Sequence, residues 1–160
     1  MARRIGVGLI GSGFIGHFHA RSWQGVRDAD IVAIASIQEA SARALAQTCR
    51  ELGVGDPAVF TDVRDLARHP EVEAVWILVP NYARIPVIEA IVEEVKAGRS
   101  KIRAVAIEKP LARTVREAKR IVELVESAGL LHGYLENQVF APSVVRGKEI
   151  LWRRGAALAG

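Results

Sequence analysis

Cysteines, membrane-length apolar runs and metal-ligand patterns are missing or scarce in this sequence of 160 residues. A single cysteine, Cys49, excludes an internal disulfide. The four histidines show no metal-ligand spacing with it, so we expect no metal site. No apolar run approaches the roughly 20 residues of a membrane helix, and no signal-peptide hydrophobic region follows the opening residues. These absences favour a cytoplasmic protein without a membrane partner.

Aromatic residues are also few, at 6% of the chain, and the net charge of +4 is small. The positive excess lies in the last twenty residues, which hold four basic side chains and one acidic side chain. A nucleic-acid-binding protein would need a basic surface with stacking aromatics or a known reading motif. We therefore expect no nucleic-acid partner. The length suits one globular domain.

Short β-branched runs alternate with longer segments of helical periodicity along the chain. This alternation predicts βαβ units around a parallel sheet, a doubly wound α/β (Rossmann) fold with strand order 3-2-1-4-5-6. The runs are continuously apolar, as in strands that helices cover on both faces. The predicted strands are Ile5–Ile10, Ile31–Ser36, Val59–Phe60, Ala74–Val79, Ala104–Ile107 and Leu130–Leu135.

The helices between these strands have recognisable ends. Thr114 and Glu117 have the spacing of a capping box, in which hydroxyl and carboxylate reciprocally satisfy backbone N–H groups. Asp62 can cap a short helix that Pro70 stops. In the helix predicted over residues 39–52, Cys49 falls on the apolar stripe, so we interpret it as a core residue rather than a reactive thiol.

The sequence Gly11-Ser-Gly-Phe-Ile-Gly16 has the G-x-G-x-x-G spacing of a dinucleotide-binding turn. The spacing alone is weak, but this turn directly follows the first predicted strand and opens the first helix. Gly11 would make the tight turn, Gly13 would let the backbone approach a pyrophosphate, and Gly16 would let helix and strand lie close. Backbone N–H groups and the helix dipole would then face the anion. The alternative is a glycine-rich turn without a ligand.

A carboxylate about 20 residues beyond the glycines would bind the ribose hydroxyls of NAD. Ser36 stands at that position, and Ile37 and Gln38 supply neither a carboxylate nor an arginine for a 2′-phosphate. Glu39 lies nearby but is expected to begin a helix. NAD and NADP are therefore both open, and the missing carboxylate favours tolerance of NADP because it removes a repulsion.

Two further segments follow strands at the edge where a doubly wound sheet binds its ligand. Val79-Pro80-Asn81-Tyr82 follows the fourth predicted strand, and Glu108-Lys109-Pro110 follows the fifth. The Lys109 ammonium could hydrogen-bond or protonate a substrate oxygen while a hydride moves between carbons. The alternative is a surface Glu–Lys pair before a helix, which would contribute little.

Taken together, these motifs resemble the Gfo/Idh/MocA family of oxidoreductases over residues 5 to about 150. The similarity rests on ordered segments: Gly11–Gly16 with His19-Ala20, Val72–Asn81, Glu108–Leu111, Gly133-Tyr134 and Asn137–Pro142. The resemblance implies an NAD(P)-dependent enzyme that transfers a hydride to or from a sugar, polyol or related hydroxyl compound. It also implies that Lys109 hydrogen-bonds the reacting substrate.

The cofactor contacts expected from the motifs and from this resemblance lie at the turns after the predicted strands. They are Gly11, Gly13, Phe14, Ile15, Gly16, Ser36, Val79, Pro80, Asn81, Glu108, Lys109 and Asn137. The sequence also departs from the family. The usual histidine after Pro-Asn is Arg84 here, expected either to contact an anion or to be exposed. His19, in the first helix, is expected to pack or hydrogen-bond locally.

Length is the largest departure, because members of the family are usually about twice this size. The expected domains are a dinucleotide-binding domain over residues 1–137 and, over residues 138–160, a linker helix and the start of a substrate domain. The alternative function is a non-catalytic nucleotide-binding or assembly module. An apolar side of the linker helix would favour homo-oligomers; it comprises Val144, Val145, Ile150, Leu151 and Trp152.

Overall fold

The computed structural model describes residues 4–154, in which β-strands and α-helices alternate. The strands are β1 (Ile5–Ile10), β2 (Ala29–Ala35), β3 (Ala58–Phe60), β4 (Ala74–Ile77), β5 (Ala104–Glu108) and β6 (Leu131–Leu135). The α-helices are α1 (Phe14–Ser22), α2 (Glu39–Glu51), α3 (Val63–Arg68), α4 (Arg84–Lys96), α5 (Val115–Ser127) and α6 (Pro142–Arg154). Short 3₁₀ helices span Trp23–Gly25, Asn81–Ala83 and Asn137–Phe140. Residues 155–160 of the expected linker segment lie outside the described residues.

The six strands form one parallel sheet in the order β3-β2-β1-β4-β5-β6, which confirms the predicted fold and strand order. After β1 the chain builds outward through β2 and β3, and then returns to add β4 on the other side of β1. The carboxyl ends of β1 and β4 therefore flank the point where the strand order reverses. In a doubly wound sheet this crevice is the usual ligand site.

Two strands, β2 and β4, differ from their predicted bounds by two residues at one end, and three others, β3, β5 and β6, differ by a single residue. β2 begins at Ala29 rather than Ile31, because Ala29 and Asp30 pair with the first residues of β1 despite the aspartate. β4 ends at Ile77 rather than Val79. Proline at position 80 cannot donate to a ladder, so the chain has already turned away from the sheet there.

Helices cover the sheet on two faces. On one face α1 and α2 pack on β1 and β2, and the rings of Trp23 and Trp76 meet edge to face with centroids 5.3 Å apart. On the other face α3, α4 and α5 pack on the central strands. Cys49 lies fully buried in the first of these layers, as predicted, and burial raises the pKa of its thiol to about 11.

One of the two predicted helix caps forms as expected and the other only in part. The Asp62 carboxylate accepts the Arg64 N–H at 2.8 Å. Thr114 Oγ1 accepts the Glu117 N–H at 3.2 Å. The Glu117 carboxylate, however, accepts the N–H of Arg113 instead of that of Thr114, because the Arg113 guanidinium also holds it. The capping box is therefore only half formed.

Helix α4 carries a buried ion cluster near its end. Glu94 is 1% exposed and accepts hydrogen bonds from Arg68 Nε at 2.9 Å and from Arg99 Nε at 2.7 Å. The bonds from Arg99 and Arg68 lower the pKa of Glu94 to about 2. Helix α4 runs from the carboxyl end of β4 back to the amino end of β5. The Glu94 cluster therefore lies at the edge of the sheet where the strands begin, opposite the edge formed by their carboxyl ends.

The surface around β6 and α6 is apolar and open to solvent. Leu131 and Tyr134 of the edge strand β6 are exposed, as are Leu151 and Trp152 of α6.

Within residues 4–154, none of the helices has the length and apolar character needed to span a membrane.

Candidate functional site

The turn after β1 has a shape that only glycine allows at two positions. Gly11 has a φ of +113°, and a Cβ atom there would lie 3.0 Å from the Val79 N atom. A Cβ atom at Gly16 would lie 2.8 Å from the Gly11 carbonyl oxygen and 3.0 Å from Leu45 Cδ2. The 2.8 Å contact is closer than a Cβ atom can lie, and the two 3.0 Å contacts are tighter than ordinary van der Waals packing. The predicted roles of Gly11 in the turn and of Gly16 in close packing are therefore supported by the geometry.

Gly13 is the N-cap of α1 and faces open space. Its φ is −77°, no side chain caps the helix, and no atom lies within 4 Å of the position of a Cβ atom. The first N–H groups of a helix, here those of Phe14 and Ile15, have no intrahelical partner. They carry the positive end of the helix dipole, so the open space before them suits an anion.

A pair of serines holds this turn against α2. Ser12 Oγ donates to Ser41 Oγ at 2.7 Å, and Ser41 Oγ donates to the Ser12 carbonyl oxygen at 3.1 Å. Ser12 is buried. The two bonds fix the carbonyl that precedes Gly13, so the turn is preorganised without a ligand. Sequence reasoning missed Ser41, because a serine in the first turn of a helix is unremarkable by itself.

A cleft of about 540 Å³ opens in front of the turn, between the ends of β1, β2 and β4. Of the expected cofactor contacts, seven line it: Gly11, Gly13, Phe14, Ile15, Ser36, Val79 and Pro80. Gly16 lies behind the turn and Asn81 begins a 3₁₀ helix, and neither lines the cleft. Tyr82, from the segment predicted to follow the fourth strand, also lines the cleft, as does Thr61, which the sequence did not single out.

The position expected to contact ribose carries no charge. Ser36 lines the cleft, and its backbone N–H donates to the Phe60 carbonyl at 3.1 Å. Glu39 begins α2, as expected, and pairs with Arg43. None of the described residues that line the cleft is charged. This lining gives neither the carboxylate that favours NAD nor the arginine that favours NADP.

A second, smaller pocket of about 220 Å³ lies at the ends of β5 and β6 and includes Glu108 and Asn137. Glu108 Oε1 lies 2.9 Å from His19 Nε2, and Glu108 Oε2 accepts the Lys109 N–H at 2.9 Å. His19 forms a hydrogen bond, as expected, but its partner is 89 residues away in sequence and not a local one. Glu108 thereby connects α1 to the end of β5.

Lys109 directly follows Glu108, which lines this second pocket. The residue is exposed, and the peptide bond between it and Pro110 is cis. Neither cavity is lined by Lys109 itself, and no described side chain bonds its ammonium group. An unpaired, accessible ammonium can approach a bound molecule. The position of Lys109 is therefore compatible with the predicted hydrogen bond to a substrate.

Arg84, the first residue of α4, contradicts both expectations for it. It is neither exposed nor directed at a cleft, since only 3% of the residue is accessible. Arg84 Nε donates to the Val79 carbonyl at 3.1 Å, and Nη1 donates to the carbonyls of Glu108 and Pro110. Burial lowers the pKa of the guanidinium from its usual value. The sequence shows only a charged residue at the predicted start of a helix. It gives no sign that the acceptors of this charge are backbone carbonyls.

Known proteins are similar to this chain in sequence. Inositol 2-dehydrogenase from Acidothermus cellulolyticus is 36% identical over 128 residues, which are 79% of this chain and 34% of the relative. Levoglucosan dehydrogenase from Pseudarthrobacter phenanthrenivorans is 27% identical over 154 residues, 93% of this chain and 37% of the relative. The chain thus spans little more than a third of the length of these curated relatives.

A solved structure and a family model also match this chain. The crystal structure of GenD2 from gentamicin A biosynthesis in complex with NAD superposes with a TM-score of 0.78 at 25% identity. The match covers 96% of this chain and 40% of that one. Residues 5–134 match the family described as "Oxidoreductase family, NAD-binding Rossmann fold". The chain therefore belongs to the Gfo/Idh/MocA oxidoreductase family, of which it contains the NAD-binding Rossmann fold.

Proposed function

We propose that this chain is the nucleotide-binding part of an NAD(P)-dependent dehydrogenase that acts on a sugar, polyol or related hydroxyl compound. The observation that carries the proposal is the turn from Gly11 to Gly16. It directs the unbonded N–H groups of α1 into an uncharged cleft at the reversal of strand order. Inositol 2-dehydrogenase and levoglucosan dehydrogenase, two of its relatives, support the substrate class.

The residues present fit a dinucleotide in one orientation. The N–H groups of Phe14 and Ile15 would hold the pyrophosphate, and Gly13 leaves room for it. Ser36 would lie beside the adenosine ribose. Glu108 and Asn137, in the second pocket, would lie at the nicotinamide end. When bound, the nicotinamide ring supplies the site that accepts or donates the hydride.

Lys109 is the residue that we assign to proton handling. In reduction of a carbonyl, the Lys109 ammonium would hydrogen-bond the reacting oxygen and give it a proton. In oxidation of a hydroxyl, Lys109 would act as the neutral amine, and the hydroxyl proton would pass to Nζ. The bond between the Glu108 carboxylate and the Lys109 N–H fixes the backbone beside it. Lys109 therefore has a fixed backbone and an exposed side chain, which suits a group that must meet a substrate.

Discrimination between NAD and NADP should be weak. No charged residue among those described lines the cleft, so a 2′-phosphate meets neither a repelling carboxylate nor an arginine. Titration calorimetry of the chain with NAD and NADP should give dissociation constants within about tenfold of each other, or 1.4 kcal/mol. Absence of binding by both at millimolar concentration would remove the cofactor proposal. A much larger preference for either one would contradict the assignment of Ser36.

The second candidate is a non-catalytic nucleotide-binding or assembly module. It is favoured by the exposure of Lys109, which lines neither cavity of the described chain. Hydride transfer needs a substrate held in near-attack geometry. We expect the 160 residues alone to bind nucleotide and to show little dehydrogenase activity. Robust turnover of a polyol by this chain would contradict that expectation.

The remaining assignments concern organisation and partners. We assign residues 1–137 to the dinucleotide-binding domain and residues 138–160 to a linker and the start of a substrate domain, in a cytoplasmic protein without a nucleic-acid partner. The exposed apolar residues of α6, including Leu151 and Trp152, support self-association. Sedimentation at tens of micromolar would show a species larger than the monomer if this is correct. A monomer would argue against it.

A further inference from the structure

The Arg84 guanidinium is a buried positive charge bonded to backbone oxygens instead of a carboxylate. The residue is 3% exposed, and within residues 4–154 it forms no salt bridge. Burying a charge is costly unless hydrogen bonds compensate it. Here the compensation comes from the carbonyls of Val79, Glu108 and Pro110. Each of these carbonyls lies at the edge of the sheet that carries the two pockets.

The three acceptors come from two separate segments of the chain. Val79 follows β4 and lines the larger cleft, whereas Glu108 and Pro110 stand on either side of Lys109. The planar guanidinium presents several N–H groups in a fixed fork, so it can bind all three carbonyls at once. Arg84 therefore joins the backbone at the end of β4 to the backbone on both sides of Lys109.

The segment from Glu108 to Pro110 is also held from the opposite side. His19 bonds the Glu108 carboxylate, while Arg84 bonds the Glu108 carbonyl. Backbone and side chain of the same residue are thus fixed by α1 and α4, respectively. Lys109 is the residue of this segment whose side chain is left exposed and unpaired among the described residues.

We propose that Arg84 is a positioning residue, which holds Glu108 and Lys109 in place for the nicotinamide end of the cofactor. The inference rests on the proposed function. Arg84 lines neither cavity, and its hydrogen bonds go to backbone carbonyls, so we place its action on the backbone of this segment. A lysine at this position would present a single point charge and would not reproduce the fork.

A comparison of the affinities for NAD and for ADP distinguishes effects at the two ends of the site. ADP carries the pyrophosphate and adenosine, whereas NAD adds the nicotinamide riboside that Glu108 would contact. In Arg84→Met and Arg84→Lys, we expect the dissociation constant for ADP to stay within about twofold of the wild type. The affinity advantage of NAD over ADP should fall about tenfold, the effect of losing one hydrogen bond to a charged group.

Arg99→Met is the matched control, because Arg99 also binds a buried group but at the opposite edge of the sheet. It should lower stability and leave the ratio of NAD to ADP affinity unchanged. A purely structural role for Arg84 would weaken NAD and ADP equally. Equal weakening, or an unchanged ratio in both Arg84 variants, would overturn the inference.

Hydrogen exchange of the unliganded chain provides a second measurement that does not depend on nicotinamide affinity. The Lys109 amide, which donates to the Glu108 carboxylate, should exchange about tenfold faster in Arg84→Lys than in the wild type, since local opening becomes easier. It should be unaffected by Arg99→Met. Unchanged exchange at this amide would overturn the inference. If the wild type binds neither ADP nor NAD, the proposed function fails, whereas the exchange result still decides whether Arg84 holds this segment.

Discussion

Helix α4 carries one buried charge at each end, and the two are satisfied in opposite ways. Arg84, at its start, bonds three backbone carbonyls near the clefts. Glu94, near its end, bonds the side chains of Arg68 and Arg99 at the opposite edge of the sheet. One charge fixes the course of the backbone, and the other joins side chains of α3 and of the segment after α4.

The two ends of α4 thus lie at edges of the sheet with different roles. The edge near Glu94 stabilises the fold, and the edge near Arg84 carries the candidate site. At the Glu94 edge, the buried carboxylate is paired with the guanidinium groups of Arg68 and Arg99. At the other edge, the first N–H groups of α1 and the Lys109 ammonium lack protein partners among the described residues. We expect substitutions at the first edge to change stability alone, and substitutions at the second to change ligand binding.

The largest effect on stability is expected for Glu94→Gln. The amide keeps the volume but removes the negative charge that both Arg68 and Arg99 share, so their guanidinium groups lose a charge-assisted bond each. Urea denaturation should show the greatest loss of unfolding free energy in this set of variants, with ADP affinity unchanged. Equal stability of variant and wild type would contradict the role of the cluster.

Gly13→Ala should have the reverse effect. Its Cβ atom has free space in the protein but would occupy the volume in front of α1 where the pyrophosphate is proposed to bind. ADP affinity should fall by about tenfold or more, while stability should change by no more than about 1 kcal/mol, the usual difference at an N-cap. Gly25→Ala is the matched control, since it also faces open space but lies away from the cleft. Retention of ADP affinity in Gly13→Ala would contradict the site.

A smaller effect is expected from pH. The pKa of Glu94 in the folded chain is about 2, below its ordinary value of 4.5, so the folded state binds fewer protons in this range. The stabilisation is present above pH 4.5 and is lost as pH falls towards 2. The difference in unfolding free energy between wild type and Glu94→Gln should therefore shrink over this range. A difference independent of pH would show that charge is not the cause.

The smallest effect is expected at Cys49, whose labelling reports opening of the sheet. The thiol is fully buried and its pKa is about 11, so alkylation at pH 8 should proceed only through unfolding. Labelling should accelerate in Glu94→Gln and stay at the wild-type rate in Gly13→Ala. Rapid labelling of the folded wild type, at the rate of a free thiol, would contradict the buried assignment.

The sequence predicts the topology and the glycine turn because both depend on local patterns. Continuous apolar runs identify the buried strands, and the position of Gly11–Gly16 between a strand and a helix identifies the turn. The bounds of β2 were less accurate, since the pairing of Asp30 with β1 depends on the neighbouring strand and not on residue type.

The contacts that hold the second pocket could not be predicted in the same way. His19 and Glu108 are 89 residues apart, and the Arg84 acceptors are backbone carbonyls, which every residue possesses. Charge patterns reveal paired side chains such as Arg43 and Glu39 one turn apart on a helix. Such charge patterns cannot reveal a guanidinium that, like that of Arg84, forms its hydrogen bonds with the main chain.

The amide N–H groups at the start of α1 provide the most direct test of the central claim. In a ¹⁵N-labelled sample titrated with NAD, the largest chemical-shift changes should occur at Gly13, Phe14 and Ile15, with smaller changes at Ser36. The same titration of Gly13→Ala should produce no comparable changes. Shifts centred elsewhere, such as at α5 or at the Glu94 cluster, would contradict binding of the pyrophosphate at this turn.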